Sequence, residues 1–372
     1  MTIRSLEPDG QFVQISSTAL AARLRTRHSG DPVDILALSG GGAAGAFGAG
    51  AVAGLTRPGT RPEFGVVTGV SAGALVAPYA FLGTNWDARL LDAFTGRRTA
   101  DLLQPRGLGA IFGSSLYRGA PLKQLIASYA TEEMLQAIAR EADNGRLLLV
   151  ATTDTATGTL VVWDLGSIAR NGGPTARALI CDVLVASASI PGIFPRATVR
   201  VRGHGLPRDE QHMDAAATVP FFVPSAFTEV PPGSSDGVHR TNVYVIIDRS
   251  LSEPPRAGRL TVQPIGSNDV LAGLNHSLIT SLELTAMRSQ SQGTTLQYAA
   301  VSGQYPHVNP LDFHTDTMQP LFRYAYECAQ AGRLWTAFRR ADNTGPAERL
   351  ITDVHKSPCP ADDAMIGYIA SR

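Results

Sequence analysis

The sequence predicts an α/β fold around a mostly parallel sheet, and three observations carry that expectation. Two short apolar runs, DILALS from Asp34 and FGVVTGV from Phe64, are each followed by a helix-length stretch of small and apolar residues. A glycine-marked turn joins strand to helix both times, and strand–helix–strand–helix at this rhythm implies parallel pairing through right-handed crossovers. Over 372 residues, 44% hydrophobic and 17% charged content supply a sizeable core, enough for one large α/β domain with additions.

Taken in order, residues 1–30 read as an N-terminal extension. They are polar and mixed, with one helix over about 18–27 and the breaker run HSGDP after it. Residues 31–372 read as one domain, with a core over about 33–250 and a helical C-terminal part over about 251–372. Ile35 to Leu55 carries no charge and approaches the length of a membrane span. Seven of its twenty-one residues are glycine, clustered at a turn, so strand, loop and buried helix describe it better. Ala and Gly at nearly every position suit a helix lying close against a sheet or another backbone.

Residues 84–146 read as mainly helical, with apolar residues at helical spacing in LLDAFTG, PLKQLIASYA and TEEMLQAIAREADNG. The loop RGLGAIFGSSLYRG among them packs on the core or forms the rim of an apolar mouth. RLLLVATTD and TLVVWDL read as strands. A buried helical segment from Cys181 to Ile190 is stopped by Pro191 and Pro195. VRVRG and VYVIIDRS read as further strands, as does LTVQPI. Helices are expected over about 269–290 and 321–340, with LQYAAVSG as a strand between them.

Composition excludes several function classes. Lys plus Arg and Asp plus Glu are both 32, so there is no basic footprint for nucleic acid. Cys181, Cys328 and Cys359 are widely spaced without a CxxC pair, which argues against a metal site and a disulfide framework. No signal-peptide pattern is visible near residue 1, and the location expected is cytoplasmic or peripheral to a membrane.

Chemistry concentrates at the two glycine turns. Gly69-Val70-Ser71-Ala72-Gly73 has the spacing of a nucleophile elbow, with an apolar strand before Ser71 and a helix after it. Gly40, Gly41 and Gly42 bring unhindered backbone N–H groups to a helix N-terminus, which favours anions. Gly40 to Gly45 also fits the dinucleotide fingerprint GxGxxG. That reading needs an acid at the end of the next strand, whereas Glu63 precedes that strand, and the strand ends in the serine elbow. Asp214, followed by Ala215-Ala216-Ala217 and without a nearby Lys or Arg, is the candidate base. The scattered histidines, His204, His212, His239, His276, His307, His314 and His355, leave a Ser–Asp–His arrangement open.

Together SGGGAAG at 39–45, GVSAG at 69–73, ASASIPGIFP at 186–195 and Asp214 resemble the patatin-like phospholipase family of lipid acyl hydrolases. The resemblance spans about 33–217 in the right order. It implies a three-layer α/β/α sandwich around a mostly parallel sheet. It also implies a Ser–Asp dyad without histidine: Ser71 as nucleophile, Asp214 as general base. Backbone N–H groups of Gly41 and Gly42, with a contribution from Ala43, would form the oxyanion hole. Gly40, Gly45, Gly69, Gly73, Ala215 and Ala216 would support the motifs. No metal or organic cofactor is required. The implied partner is a lipid or other fatty-acyl ester, met through peripheral membrane contact by apolar loops such as 108–116. Oligomeric state, head group and acyl-chain length are not legible.

Two positions depart from the family pattern. Ala44 stands where the glycine loop usually carries Arg or Lys. Asp214-Ala215-Ala216 replaces Asp-Gly-Gly or Asp-Gly-Ala, and a left-handed Ala215 would cost about 1–2 kcal/mol. Two alternatives therefore stay open: a catalytically weakened lipid-binding protein on this scaffold, and an α/β-hydrolase-type esterase that uses a histidine.

Overall fold

A computed structural model describes residues 1–27, 33–56, 61–107, 115–202, 207–216, 218–227, 241–251 and 267–337. In chain order they form β1 (Thr2–Leu6), β2 (Phe12–Ile15), α1 (Ser17–Arg27), β3 (Val33–Leu38), α2 (Gly45–Gly54), β4 (Phe64–Val70) and α3 (Ala72–Leu82). The middle of the chain adds α4 (Asp87–Thr95), α5 (Ala120–Tyr129), α6 (Glu132–Asp143), β5 (Leu147–Asp154), β6 (Leu160–Asp164), α7 (Leu165–Asn171) and α8 (Gly173–Ser187). The rest comprises β7 (Ala197–Val201), β8 (Arg208–Asp214), β9 (Thr241–Ser250), α9 (Ser267–Ser291), β10 (Thr295–Val301), α10 (Thr315–Gln330) and β11 (Thr336–Ala337).

The strands form one sheet, ordered β11-β10-β9-β3-β4-β5-β6-β1-β2, with β8 on β5 and β7 on β8. From β10 to β5 every neighbouring pair is parallel. Side chains alternate across this centre, as the two-residue strand period requires. Leu36, Leu38, Val67, Leu148 and Val150 face a core completed by α2, α3, α6, α8 and α10. Ile35, Val66, Val70, Leu147 and Leu149 face the other side, where α1 packs. Ala37, Val243 and Val245 share that side with α9. Helices thus cover both faces, which gives the three-layer α/β/α sandwich.

Helix α2 shows why its sequence is so small. All ten of its residues are buried. A Cβ on Gly50 would lie 2.1 Å from the Phe322 carbonyl oxygen of α10, and one on Gly54 would lie 2.5 Å from that of Tyr326. The two helices touch backbone to backbone, so larger side chains would force them apart. α6 forms for more ordinary reasons: Thr131 Oγ1 accepts from Met134 N–H at its N-terminus, and Met134, Leu135, Ile138 and Ala142 make one buried face.

Several sequence expectations change. The N-terminal segment contains β1 and β2 as well as α1: β1 runs parallel to β6, and β2 pairs with β1. The helix expected over 321–340 begins earlier, at Thr315, and stops at Gln330. Gly332 then takes a positive φ of 70°, the left-handed turn that ends many helices, and Thr336–Ala337 pairs with β10 instead. The run LTVQPI and half of the rim loop, residues 108–114, lie outside the described residues. Among the described residues no helix is long and apolar enough to cross a membrane.

Candidate active site

The site sits at the C-terminal ends of β3 and β4, where open α/β sheets place their ligands. β4 ends at Val70, and Ser71 turns the chain sharply into α3. Its backbone has φ 56° and ψ −124°, and among the described residues no other non-glycine residue has a positive φ. Such a conformation costs about 1–3 kcal/mol and persists only where its surroundings enforce it. Here the surroundings are tight. A Cβ on Gly69 would fall 2.6 Å from the Ala74 Cα, and one on Gly73 would fall 2.5 Å from the Leu38 and Ser39 carbonyl oxygens. Gly73 N–H donates to Ser39 O, and Ser71 N–H donates to Ser187 Oγ at 3.0 Å.

Sheet register brings Asp214 to this turn. β4 pairs with β5 only as far as Val70 opposite Ala151. On the edge of β5 that β4 vacates, antiparallel β8 pairs next, with Asp214 opposite Thr152. Consecutive residues of β5 therefore align the end of β4 with the end of β8 and bring together Ser71 and Asp214, 143 residues apart in sequence. Ser71 Oγ–H donates to Asp214 Oδ2 at 2.5 Å. Oδ1 accepts from Ala216 N–H at 2.8 Å, and Asp214 N–H donates to Ser189 O. Ala215 is fully buried and is not left-handed, so the alanines cost no backbone strain. The Ala216 methyl is accommodated by Gly40, whose own Cβ would come within 2.8 Å of it. Burial pushes the Asp214 carboxyl up to about 7, against the lowering effect of the Ser71 hydroxyl and the Ala216 N–H.

The glycine loop passes beside Ser71. A Cβ on Gly40 would stand 3.0 Å from the Ser71 Cβ, and Gly40 N–H donates to Pro220 O. Gly42 has a φ of 58° and lies so close to Pro310 that a side chain has no room. Ala43 N–H, expected among the oxyanion donors, donates instead to Pro310 O at 2.8 Å and is not available. Ala44 N–H turns back to Gly41 O. The N–H groups of Gly41 and Gly42 have no acceptor among the described residues, which leaves them open to an anion. Gly45 packs on Ala72 of α3, its absent Cβ 2.5 Å from the Ala72 methyl.

Ser71 lines an apolar cleft that is partly open to solvent. Ala72, Leu75, Pro78 and Tyr79 form its wall along one face of α3, with Leu122 and Ile126 of α5 opposite. Eight residues of helix from Ser71 to Tyr79 span about 12 Å, and an apolar wall of that length suits an acyl chain. Leu116 is 53% exposed and donates its N–H to Gly192 O, beside Ile190 and Phe194 of the cleft wall.

No described histidine reaches the pair. His212 shares β8 with Asp214 and is fully buried, but both ring nitrogens are engaged elsewhere. The Thr152 hydroxyl, which accepts from Trp163 Nε1–H, lies 3.0 Å from His212 Nδ1 and donates to it when the neutral ring carries its proton on Nε2. His212 Nε2–H then faces Glu210 Oε2 at 3.1 Å, and Glu210 is held by Arg4 of β1. Burial lowers the His212 pKa, against the pull of Glu210. The ring is a neutral structural link between β1, β5 and β8. His276, His307 and His314 are exposed, while His204, His239 and His355 lie outside the described residues. Among the described residues no group of three or more His, Cys, Asp or Glu could hold a metal ion.

Sequence reasoning gave no role to Ser187, Ser189, Pro220, Pro310 or Asp248. Ser187 and Ser189 lie within the stretch ASASIPGIFP. Asp248 is the one acid in the apolar run VYVIIDRS, a visible anomaly.

The profile of the patatin-like phospholipase family matches residues 36–225. No curated protein matches the chain. Among solved structures it is similar to VipD from Legionella pneumophila, at 12% identity and a TM-score of 0.37, covering 86% of this chain and 70% of that one.

Proposed function

The chain belongs to the patatin-like phospholipase family, and from that premise we propose that it hydrolyses fatty-acyl esters through an acyl-enzyme on Ser71. The observation that carries this reading is the Ser71 Oγ–Asp214 Oδ2 hydrogen bond, made by a serine that lines the apolar cleft. Asp214 takes the hydroxyl proton as Ser71 Oγ attacks the ester carbonyl. The N–H groups of Gly41 and Gly42 stabilise the oxyanion. Collapse expels the alcohol, which takes the proton from Asp214. Water, deprotonated by the same carboxylate, then attacks the acyl-Ser71 and releases the fatty acid.

A base must be deprotonated to accept a proton. With the Asp214 pKa raised to about 7, kcat/KM for a p-nitrophenyl ester is expected to fall about tenfold per pH unit below an inflection near neutrality. An inflection near pH 4, where an ordinary carboxylate titrates, would contradict the assignment of Asp214 as a buried base.

We also assign lipid-surface contact to the rim at Leu116. Leu116→Glu should weaken hydrolysis of phospholipid vesicles while leaving turnover of a soluble short-chain ester unchanged. Equal effects on both substrates would count against that contact.

A further inference from the structure

One buried carboxyl has no part in the steps above. Asp248, in the apolar run of β9, is 1% exposed and lies between two glycines. A Cβ on Gly41 would stand 2.4 Å from the Asp248 Cβ, and one on Gly48 would stand 2.6 Å from its Oδ1. Oδ1 accepts from Gly48 N–H at 2.8 Å, near the start of α2. Asp248 N–H donates to Ser39 Oγ at 2.9 Å. One residue thus braces the glycine loop at Ser39 and Gly41 and ties it to α2. The other oxygen, Oδ2, is buried with no hydrogen-bond partner among the described residues.

An anion at this position would be unpaired. α2 has no titratable side chain. Asp34 of β3 is occupied by Asn242, and the hydrogen bond that acts on the Asp248 carboxyl comes from the Gly48 N–H. Burial holds it well above the usual carboxylate range, opposed by the Gly48 N–H. A negative charge behind Gly41 would also oppose the oxyanion that forms in front of it.

We propose that Asp248 is a positioning residue for the oxyanion hole and works as the neutral acid. Wedged between Gly41 and Gly48, it fixes the direction of the Gly41 and Gly42 N–H groups without placing charge behind them. The inference rests on the acyl-hydrolase reading.

The test uses the full chain and a p-nitrophenyl ester, with melting temperatures to verify folding. Wild-type turnover establishes the underlying reading; an inactive wild type overturns that reading and this inference with it. Given an active wild type, Asp248→Ala should lower kcat about 10–100-fold with KM nearly unchanged, the signature of an interaction made in the transition state. Asp248→Asn keeps shape and neutrality and should recover most of that loss. Any loss of wild-type kcat that follows ionisation of Asp248 as the pH rises should be absent from this variant. An Asn variant with wild-type melting temperature but kcat at least about tenfold lower would overturn the proposal, as would a folded Ala variant with wild-type kcat. If the Ala variant fails to fold, the Asn variant decides alone.

Discussion

Replacing Ser71 by alanine is expected to reduce fatty-acyl ester hydrolysis to background, a loss on the order of 10⁶ in kcat if Ser71 behaves as other serine nucleophiles do. The magnitude follows because Ser71 carries the one described hydroxyl hydrogen-bonded to Asp214, whereas Ser187 Oγ accepts from Ser71 N–H. Asp214 is the acceptor of the Ser71 proton, and the described histidines are engaged elsewhere or exposed. The fold should survive the change. Ser71 sits at a φ of 56°, so glycine at this position should be more stable than alanine by about 1 kcal/mol, since glycine adopts positive φ without a Cβ clash. Comparing kcat and thermal unfolding of the two variants separates the chemical role of the hydroxyl from the backbone role of the turn. Retained turnover in Ser71→Ala would remove Ser71 from the mechanism.

The second large effect concerns Asp214→Asn, which should lower kcat about 10²–10⁴-fold, the contribution of a positioned general base. Its stability effect should have the opposite sign. The folded chain holds the Asp214 proton more tightly than the unfolded chain, with a pKa of about 7 against about 3.9 in model peptides. Stability from this group is therefore fully present below about pH 4 and is lost as the pH rises towards 7. The buried anion then costs on the order of 4 kcal/mol at pH 8. Asparagine removes that cost and keeps the geometry: its carbonyl can accept from Ala216 N–H, and its amide can donate to Ser71 Oγ. The variant should melt several degrees higher than wild type at pH 8, with a smaller difference at pH 4.5. A variant that is both inactive and less stable at pH 8 would mean Asp214 is a structural carboxylate.

Much of this site is legible in the sequence because its chemistry depends on local turns. The glycine spacing around Ser71 and the run Gly40–Gly42 are short-range signals, and the structure places them side by side at the ends of β3 and β4. Asp214 is legible as an isolated acid before small residues, but its approach to Ser71 is not. That approach depends on β8 taking over the β5 edge where β4 stops, a matter of long-range register. The Ala43 N–H could not be judged either, since its acceptor, Pro310, lies 267 residues later in the chain. Strands β1 and β2 escaped notice because, at and next to the sheet edge, they are partly exposed and lack the apolar runs of the central strands. His212 carries no local signature in the sequence, and its packing among Trp163, Thr152 and Glu210 depends on long-range pairing. At Ala215 the strain that a left-handed residue would bring does not arise, because the chain leaves Asp214 by another geometry.

The central claim is that Asp214 activates the Ser71 hydroxyl for attack. Its most direct test is covalent labelling by a fluorophosphonate probe, read by intact-protein mass and peptide mapping. The wild type should gain one adduct, mapped to Ser71, with a labelling rate that rises with pH through neutrality and falls sharply in Asp214→Asn. A folded wild type that takes no label would contradict the claim and favour a lipid-binding role for this scaffold, as would a label on any other residue.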